Sequence, residues 1–326
     1  MAVLAPEVRS AAPRWLIRHE TLLAAILVVA LAILGLFNER FLTIDNLLNQ
    51  GRLMTEVGLL ALPMTFIIIT GGIDLSVGSI VGLCAIMLGY SWRNLGFPLP
   101  LAIAFAIGVG GVAGFVNGLL ITRVRVPPLI MTIATLALYR GLAEGISQAR
   151  SVRNYPEWFF FTGQGEWLGV PVQLWILLVG IIMAGIALDR TTFGRTLYAI
   201  GNNETAARFS GLPVDRVKLV VYTLSGLAAG LSAWVLVSRV TTTRSDMGSG
   251  YELDVIAAVV LGGTSIFGGV GTIWGTVVGL VMIQLLKNGL ALTGVKGDAT
   301  IIVIGAVLIA STLIASSLHG RREVAD

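Results

Sequence analysis

The chain has 326 residues, 56% of them hydrophobic and only 12% charged, with a formal net charge of +4 and a mean hydropathy of +0.88. A water-soluble fold cannot bury so much apolar surface, so composition places the chain in a membrane and excludes a soluble enzyme or a nucleic-acid binder. Cys84 is the single cysteine and His19 and His319 lie near the ends, so an internal disulfide, a Cys-based cluster and an intramembrane histidine site are excluded, and no metal or other cofactor is expected.

In chain order, residues 1–20 form a polar, basic segment with Arg9, Arg14 and Arg18, read as a cytoplasmic tail. Thr21 to Phe37 follows as an apolar run of spanning length. The pairing resembles a signal peptide, but Asn38-Glu39-Arg40 stands where a small-residue cleavage site would be, so an uncleaved first helix is expected. Further apolar runs are Leu53 to Thr70, Leu75 to Trp92, Pro98 to Thr122, Val126 to Ile146, Val172 to Leu188, Leu219 to Val237, Leu253 to Leu261 with its glycine-rich extension, Ile273 to Leu292 and Ala299 to Leu318. The expected fold is therefore all-α and polytopic, with about ten transmembrane helices in residues 21–318 and a short tail at 319–326 on the same side as the N-terminus. The stretch from Arg140 to Val172 is too short and mixed for a domain of its own.

Orientation rests on the polar interval Asp189–Lys218, where Arg190, Arg195, Arg208, Arg216 and Lys218 outnumber Asp189, Glu204 and Asp215. Basic residues near a span resist translocation, so this loop is expected in the cytoplasm. Over the whole chain the bias is slight, and the central cluster carries the assignment. Asn203 to Ser210 fits a short amphipathic helix, with Gly211 as its stop and Pro213 barring continuation.

Two segments interrupt the hydropathy in a similar way: Gly71 to Ser79 (GGIDLSVGS) and Gly262 to Gly271 (GGTSIFGGVG). Such breaks serve as turns or close crossings, and a pair in corresponding halves also points to a transport pathway built from an internal repeat. On the pathway reading the residues concerned are Gly71, Gly72, Asp74, Ser76, Gly262, Gly263 and Thr264. An intramembrane carboxylate is a functional candidate, yet Asp74 precedes Leu75-Ser76-Val77 as a helix cap would, and capping is the favoured role. Glu56 and Glu144 lie near span ends and are expected at the interface. Gly110, Gly114 and Gly118 form a helix-packing stripe, and Asn203-Glu204-Thr205 matches a glycosylation acceptor by chance on a cytoplasmic loop. The sequence carries no phosphate-binding Gly-x-x-x-x-Gly-Lys-Ser/Thr loop and no catalytic constellation, so catalytic residues are not expected and the pathway must be driven from outside the chain.

Three motifs then resemble one family. GGIDLSVGSIVGL at Gly71 to Leu83, GNNETAARFSGLPVDRVK at Gly201 to Lys218, and AAVVLGGTSIFGGVGTIWGT at Ala257 to Thr276 are similar, in the same order and across nearly the whole chain, to the permease subunit of carbohydrate-uptake ABC transporters, the group holding ribose, xylose, arabinose, rhamnose and autoinducer-2 importers. The resemblance implies a pathway made with a second permease copy or paralogue, a cytoplasmic ATP-binding subunit and a periplasmic sugar-binding protein. It also implies that Gly201, Glu204, Ala206, Ala207, Arg208 and Gly211 belong to a coupling helix that docks in the ATPase, with Ala206 and Ala207 as the small surface in its groove. Rhamnose or another monosaccharide is the expected solute. Autoinducer-2 is the alternative, on LCAIMLG at Leu83 to Gly89 and TRSDMG at Thr243 to Gly248. An ion-coupled carrier would need titratable groups at mid-membrane, where Asp74 stands nearly alone, and an intramembrane enzyme lacks a catalytic set.

Overall fold

The computed structural model describes residues 39–294, together with residues 35, 36, 299, 302, 303, 305 and 306. The expected first and last spans and both tails thus lie wholly or almost wholly outside the described residues. Between them every expected span finds a helix: α1 (Ile44–Ile69), α2 (Val77–Arg93), α3 (Leu99–Arg123), α4 (Pro128–Ser147), α6 (Val172–Arg190), α9 (Val214–Val240), α10 (Tyr251–Leu261) and α11 (Ile273–Leu292). Six are long and apolar enough to cross a membrane; α2 and α10 are shorter. Each of these two adjoins one of the glycine-rich breaks.

Local chemistry sets the boundaries. The Thr43 hydroxyl accepts the Asn46 N–H to cap α1, and Thr272 does the same for the Gly275 N–H at α11. Pro128 opens α4, where a missing N–H costs nothing. α1 and α9 start earlier than the apolar runs suggest, because their first turns are polar: Asn46 and Gln50 in α1, Asp215, Arg216 and Lys218 in α9.

The interval 189–218 folds into two short helices, where one was expected. α7 (Thr192–Asn202) precedes α8 (Glu204–Phe209). The region after α4 holds the short helix α5 (Glu157–Gln164) and a two-residue hairpin, β1 (Glu166–Trp167) with β2 (Val170–Pro171), paired antiparallel as Glu166↔Pro171 and Trp167↔Val170. It forms a cap at the end of the bundle opposite α7 and α8. There Ser238 donates to the Phe159 carbonyl and Gln164 to the Arg239 carbonyl, pinning α5 on the end of α9.

α1 is enclosed from Thr55 to its end, whereas α4 and α6 keep apolar faces exposed, as lipid-facing helices do. A close crossing joins α3 to α9. A Cβ on Gly110 or Gly114 would overlap α9 backbone, and one on Gly226 would overlap α3 backbone. Small residues let the two backbones touch, as the 110–114–118 stripe implies.

One expectation is corrected here. Glu56 is not interfacial but has no exposed side-chain surface, and it pairs with Arg239 at 2.7 Å across α1 and α9. A carboxylate enclosed in this way needs a partner, and for Glu56 the partner is a cation. Glu144 is exposed, as expected.

Candidate functional site

α8 is six residues long, and its ends are built by the sequence around it. The Asn203 side chain accepts the Ala206 N–H at the start. At the far end the Gly211 N–H bonds to the Arg208 carbonyl and the Leu212 N–H to the Ala207 carbonyl, with Gly211 at φ +80. This pair of bonds requires a left-handed residue in the middle, which is why glycine stands there.

α8 is tied to α9 by charge. Arg208 bridges Glu204 at 2.8 Å and Asp215 at 2.5 Å, and Lys218 reaches the other Glu204 oxygen at 2.6 Å. Partial burial pushes the Glu204 carboxyl up, but hydrogen bonds from Lys218 and Arg208 outweigh this and hold it below the usual carboxylate range. The hydrogen bonds to Asp215, first, and to Glu204 raise Arg208. Single exposed pairs contribute little, yet four groups sharing one network fix the helix orientation.

The outward face of α8 differs from the expected one. Ala206 is exposed, but Ala207 is 4% exposed and packs into the chain's own core, so it is not available as a docking surface. The prominent group is Phe209, 88% exposed at the end of α8. An aromatic at the end of the short polar helix expected at Asn203 to Ser210 was the available sequence signal for it. Gly201 lies elsewhere, at the end of α7, pressed against α1 and the second break.

At the first break the chain turns between α1 and α2. Gly71 sits at φ +75, and the Gly72 N–H bonds to the Ile67 carbonyl. A Cβ on Gly72 would stand 2.7 Å from the Tyr222 hydroxyl oxygen, so a side chain there forces the buried Tyr222 side chain of α9 to shift. Asp74 is fully buried. One oxygen accepts the Ser76 N–H (3.0 Å) and hydroxyl (2.6 Å), and the other accepts the Ser225 hydroxyl (3.1 Å). The Asn117 amide donates to the Ser76 hydroxyl oxygen at 2.8 Å, and the Tyr139 hydroxyl of α4 donates to the Ala113 carbonyl of α3 at 2.9 Å, with the Asn117 amide oxygen 3.3 Å away. Thr132 donates to the Ile73 carbonyl at 3.2 Å. Asp74 therefore binds Ser76, the residue that caps α2, and not an N–H of the helix as the expected capping role requires, and through these bonds it joins the break to α3, α4 and α9. Asn117, Tyr139 and Ser225 were missed in the sequence, although a polar side chain inside a span needs a partner and that rule points to each.

At the second break, between α10 and α11, Gly262 is pressed against Gly275, and Gly279 against Ala258, so closely that a Cβ on any of these glycines would overlap backbone. Gly263 turns the chain at φ +90. Thr264 is buried, with its hydroxyl unpaired. The loop closes through Ser265 N–H to Val270 O and Gly268 N–H to Ser265 O, leaving Phe267 93% exposed. The Gly269 N–H donates to the Ile69 carbonyl at 2.9 Å. Thus the two breaks, about 190 residues apart in sequence, meet at the end of the bundle where α7 and α8 sit.

Comparison with known proteins adds to this geometry. Residues 44–312 match a family described as branched-chain amino acid transport system / permease component. An "Autoinducer 2 import system permease protein LsrD" from Yersinia enterocolitica is 38% identical over 296 residues, covering 89% of each chain. The protein of that name from Escherichia coli K12 is 36% identical over 314 residues and 94% of each chain, and that from Photorhabdus luminescens 36% over 307 residues and 92% of each. No solved structure matches.

Proposed function

We propose that this chain, which belongs to the family of branched-chain amino acid transport system permease components, forms the membrane pathway of an ATP-driven importer of autoinducer 2. It is a permease of the ABC type, a multi-pass protein of the bacterial inner membrane and a transport subunit rather than an enzyme. A permease of this kind works with an ATP-binding subunit and a solute-binding protein.

The observation that carries the solute is the likeness to autoinducer 2 import permeases at 36–38% identity over 89–94% of each chain. It favours the alternative of the two expected solutes over rhamnose. In the proposed arrangement about ten helices span the membrane within residues 21–318, and the interval 189–218 and both tails face the cytoplasm, as its basic cluster requires. The pathway forms with a second permease, a copy or a paralogue. The chain has no ATP site of its own, in keeping with the missing phosphate loop.

α8 is the coupling helix in this reading. Phe209 and Ala206 present the docking surface, Glu204 and Arg208 hold the helix on α9, and Gly211 ends it. An apolar aromatic surrounded by polar groups is the usual anchor of a protein contact. Movement of the ATPase shifts α8, and its ionic tie carries that shift into α9, whose Ser225 holds Asp74 at the first break. Gly71, Gly72, Asp74, Ser76, Gly262, Gly263 and Thr264 are then the hinge of the pathway, more than a solute-binding surface, because Asp74, Ser76 and Thr264 are enclosed by protein.

The test is uptake by cells that carry the chain with its cognate ATPase and binding protein, offered labelled autoinducer 2, rhamnose and ribose. Autoinducer 2 should enter about tenfold faster than either sugar, a margin of ~1.4 kcal/mol in discrimination. Faster entry of rhamnose would return the solute to the monosaccharides.

A further inference from the structure

At one point three stretches of main chain meet with no side chain between them. Gly201 closes α7, Ile69 closes α1, and Gly269 lies in the second break. A Cβ on Gly201 would overlap both the Ile69 carbonyl oxygen and the Gly269 nitrogen. The Gly269 N–H is bonded to that same carbonyl at 2.9 Å. A Cβ on Gly268 would stand 3.0 Å from the Gly201 carbonyl oxygen and 3.1 Å from that of Ile69. Gly268 and Gly269 have φ of +93 and +74, a conformation that disfavours any other residue. Beside the junction, the Tyr198 hydroxyl of α7 donates to the Gly271 carbonyl at 2.7 Å, one residue before the cap of α11.

We infer that the junction of Gly201, Gly269 and Ile69, supported by Tyr198, is the positioning element through which displacement of the α7–α8 segment reaches both breaks at once. The inference rests on the reading of α8 as the docking helix and adds a second route to it. The first route is ionic and runs from α8 into α9. The second is backbone against backbone and runs from α7 into the end of α1, two residues before Gly71, and into the loop that leads to α11. Side chains in contact can relax by changing rotamer, whereas touching main chains pass a displacement on, because a close-packed contact shifts between discrete arrangements and does not yield gradually. Gly201, Gly268 and Gly269 would then be glycine to let a connection close, and Tyr198 would be a positioning residue for transport that touches no solute.

The test uses the complete importer in proteoliposomes, with ATP hydrolysis and uptake of labelled autoinducer 2 measured together. Gly201→Ala and Tyr198→Phe are compared with the unmodified chain at matched permease levels, and retention of the ATPase is measured by pull-down. Both variants should retain the ATPase and continue to hydrolyse ATP. Solute moved per ATP should fall about tenfold for Gly201→Ala and about threefold for Tyr198→Phe, the range for contacts that carry coupling. A residue that served only packing would lower permease level or ATPase retention and leave this ratio unchanged. If Gly201→Ala does not insert, Tyr198→Phe decides alone, since it removes one hydroxyl and no volume. An unchanged ratio in every variant that inserts overturns the inference. If the unmodified chain retains no ATPase, the docking reading itself fails and the junction falls with it.

Discussion

The two glycine-rich breaks look alike in sequence and are held by opposite means. The first is filled. Asp74 binds Ser76 and Ser225, and Asn117 and Tyr139 extend the chain of bonds, so α2, α3, α4 and α9 meet on one buried carboxylate. The second holds no carboxylate: Gly262, Gly275 and Gly279 bring α10 and α11 together backbone to backbone, and the loop beyond, bonded at its Gly271 carbonyl by Tyr198, exposes Phe267. One break depends on the side chain it has, the other on the side chains it lacks. Glycine in a span thus marks where helices stop, and only the neighbouring residues tell how the stop is held.

This difference is open to direct attack. The largest effect is expected for Asp74→Ala, which strips the acceptor from three hydrogen bonds in a buried place and should cost about 3 kcal/mol, at roughly 1 kcal/mol per bond. Thermal stability of the purified protein measures it; a change below about 0.5 kcal/mol, the size of an ordinary surface substitution, would contradict the polar reading of the first break. Next comes Gly275→Ala, where the methyl meets the Gly262 carbonyl. Overpacking of this kind costs ~1–3 kcal/mol, and the same thermal assay should register it. Equal stability would mean that the α10–α11 crossing opens freely.

Smaller effects sharpen the same contrast. Phe267→Ser should change stability by less than about 0.5 kcal/mol, because an exposed side chain makes few contacts to lose. A larger loss would show that the loop is pinned by its aromatic and not by its backbone bonds. The smallest effect concerns pH at α8. The Glu204 carboxyl is held below its ordinary range, so its contribution is complete above the unfolded value and fades as pH falls through the lower folded one. Glu204 is 40% exposed, so screening keeps this contribution small. Hydrogen-exchange protection in α8, taken relative to the intrinsic exchange rate at each pH, should be flat from neutral pH to the ordinary glutamate range and fall from there through the lower folded value; a loss already near pH 6 would assign the tie to other groups.

Most of the fold was legible because spans are long and apolar: every expected run within the described residues holds a helix. α8 was legible through Asn203 and Gly211, residues whose capping chemistry is local. α7 was not, since Thr192 to Asn202 mixes polar and apolar residues and is shorter than a span. The buried partners also escaped, because a partner depends on which helices become neighbours. Arg239 lies 183 positions from Glu56, and Ser225 lies 151 from Asp74. For the same reason Ala207, small and on the expected helix, turned out to face inward, while Phe209 faces out.

The central claim is that α8 is where an outside ATPase drives this pathway, and Phe209→Asp tests it most directly. Phe209 is almost fully exposed and makes little contact within the chain, so the variant should insert at the level of the unmodified protein. With the ATPase and binding protein present in proteoliposomes, the account predicts that the variant loses the ATPase in a pull-down and loses ATP-dependent autoinducer 2 uptake, because an aspartate does not fill an apolar groove. Retention of the ATPase with full uptake would contradict it and leave α8 an ordinary connection between two spans.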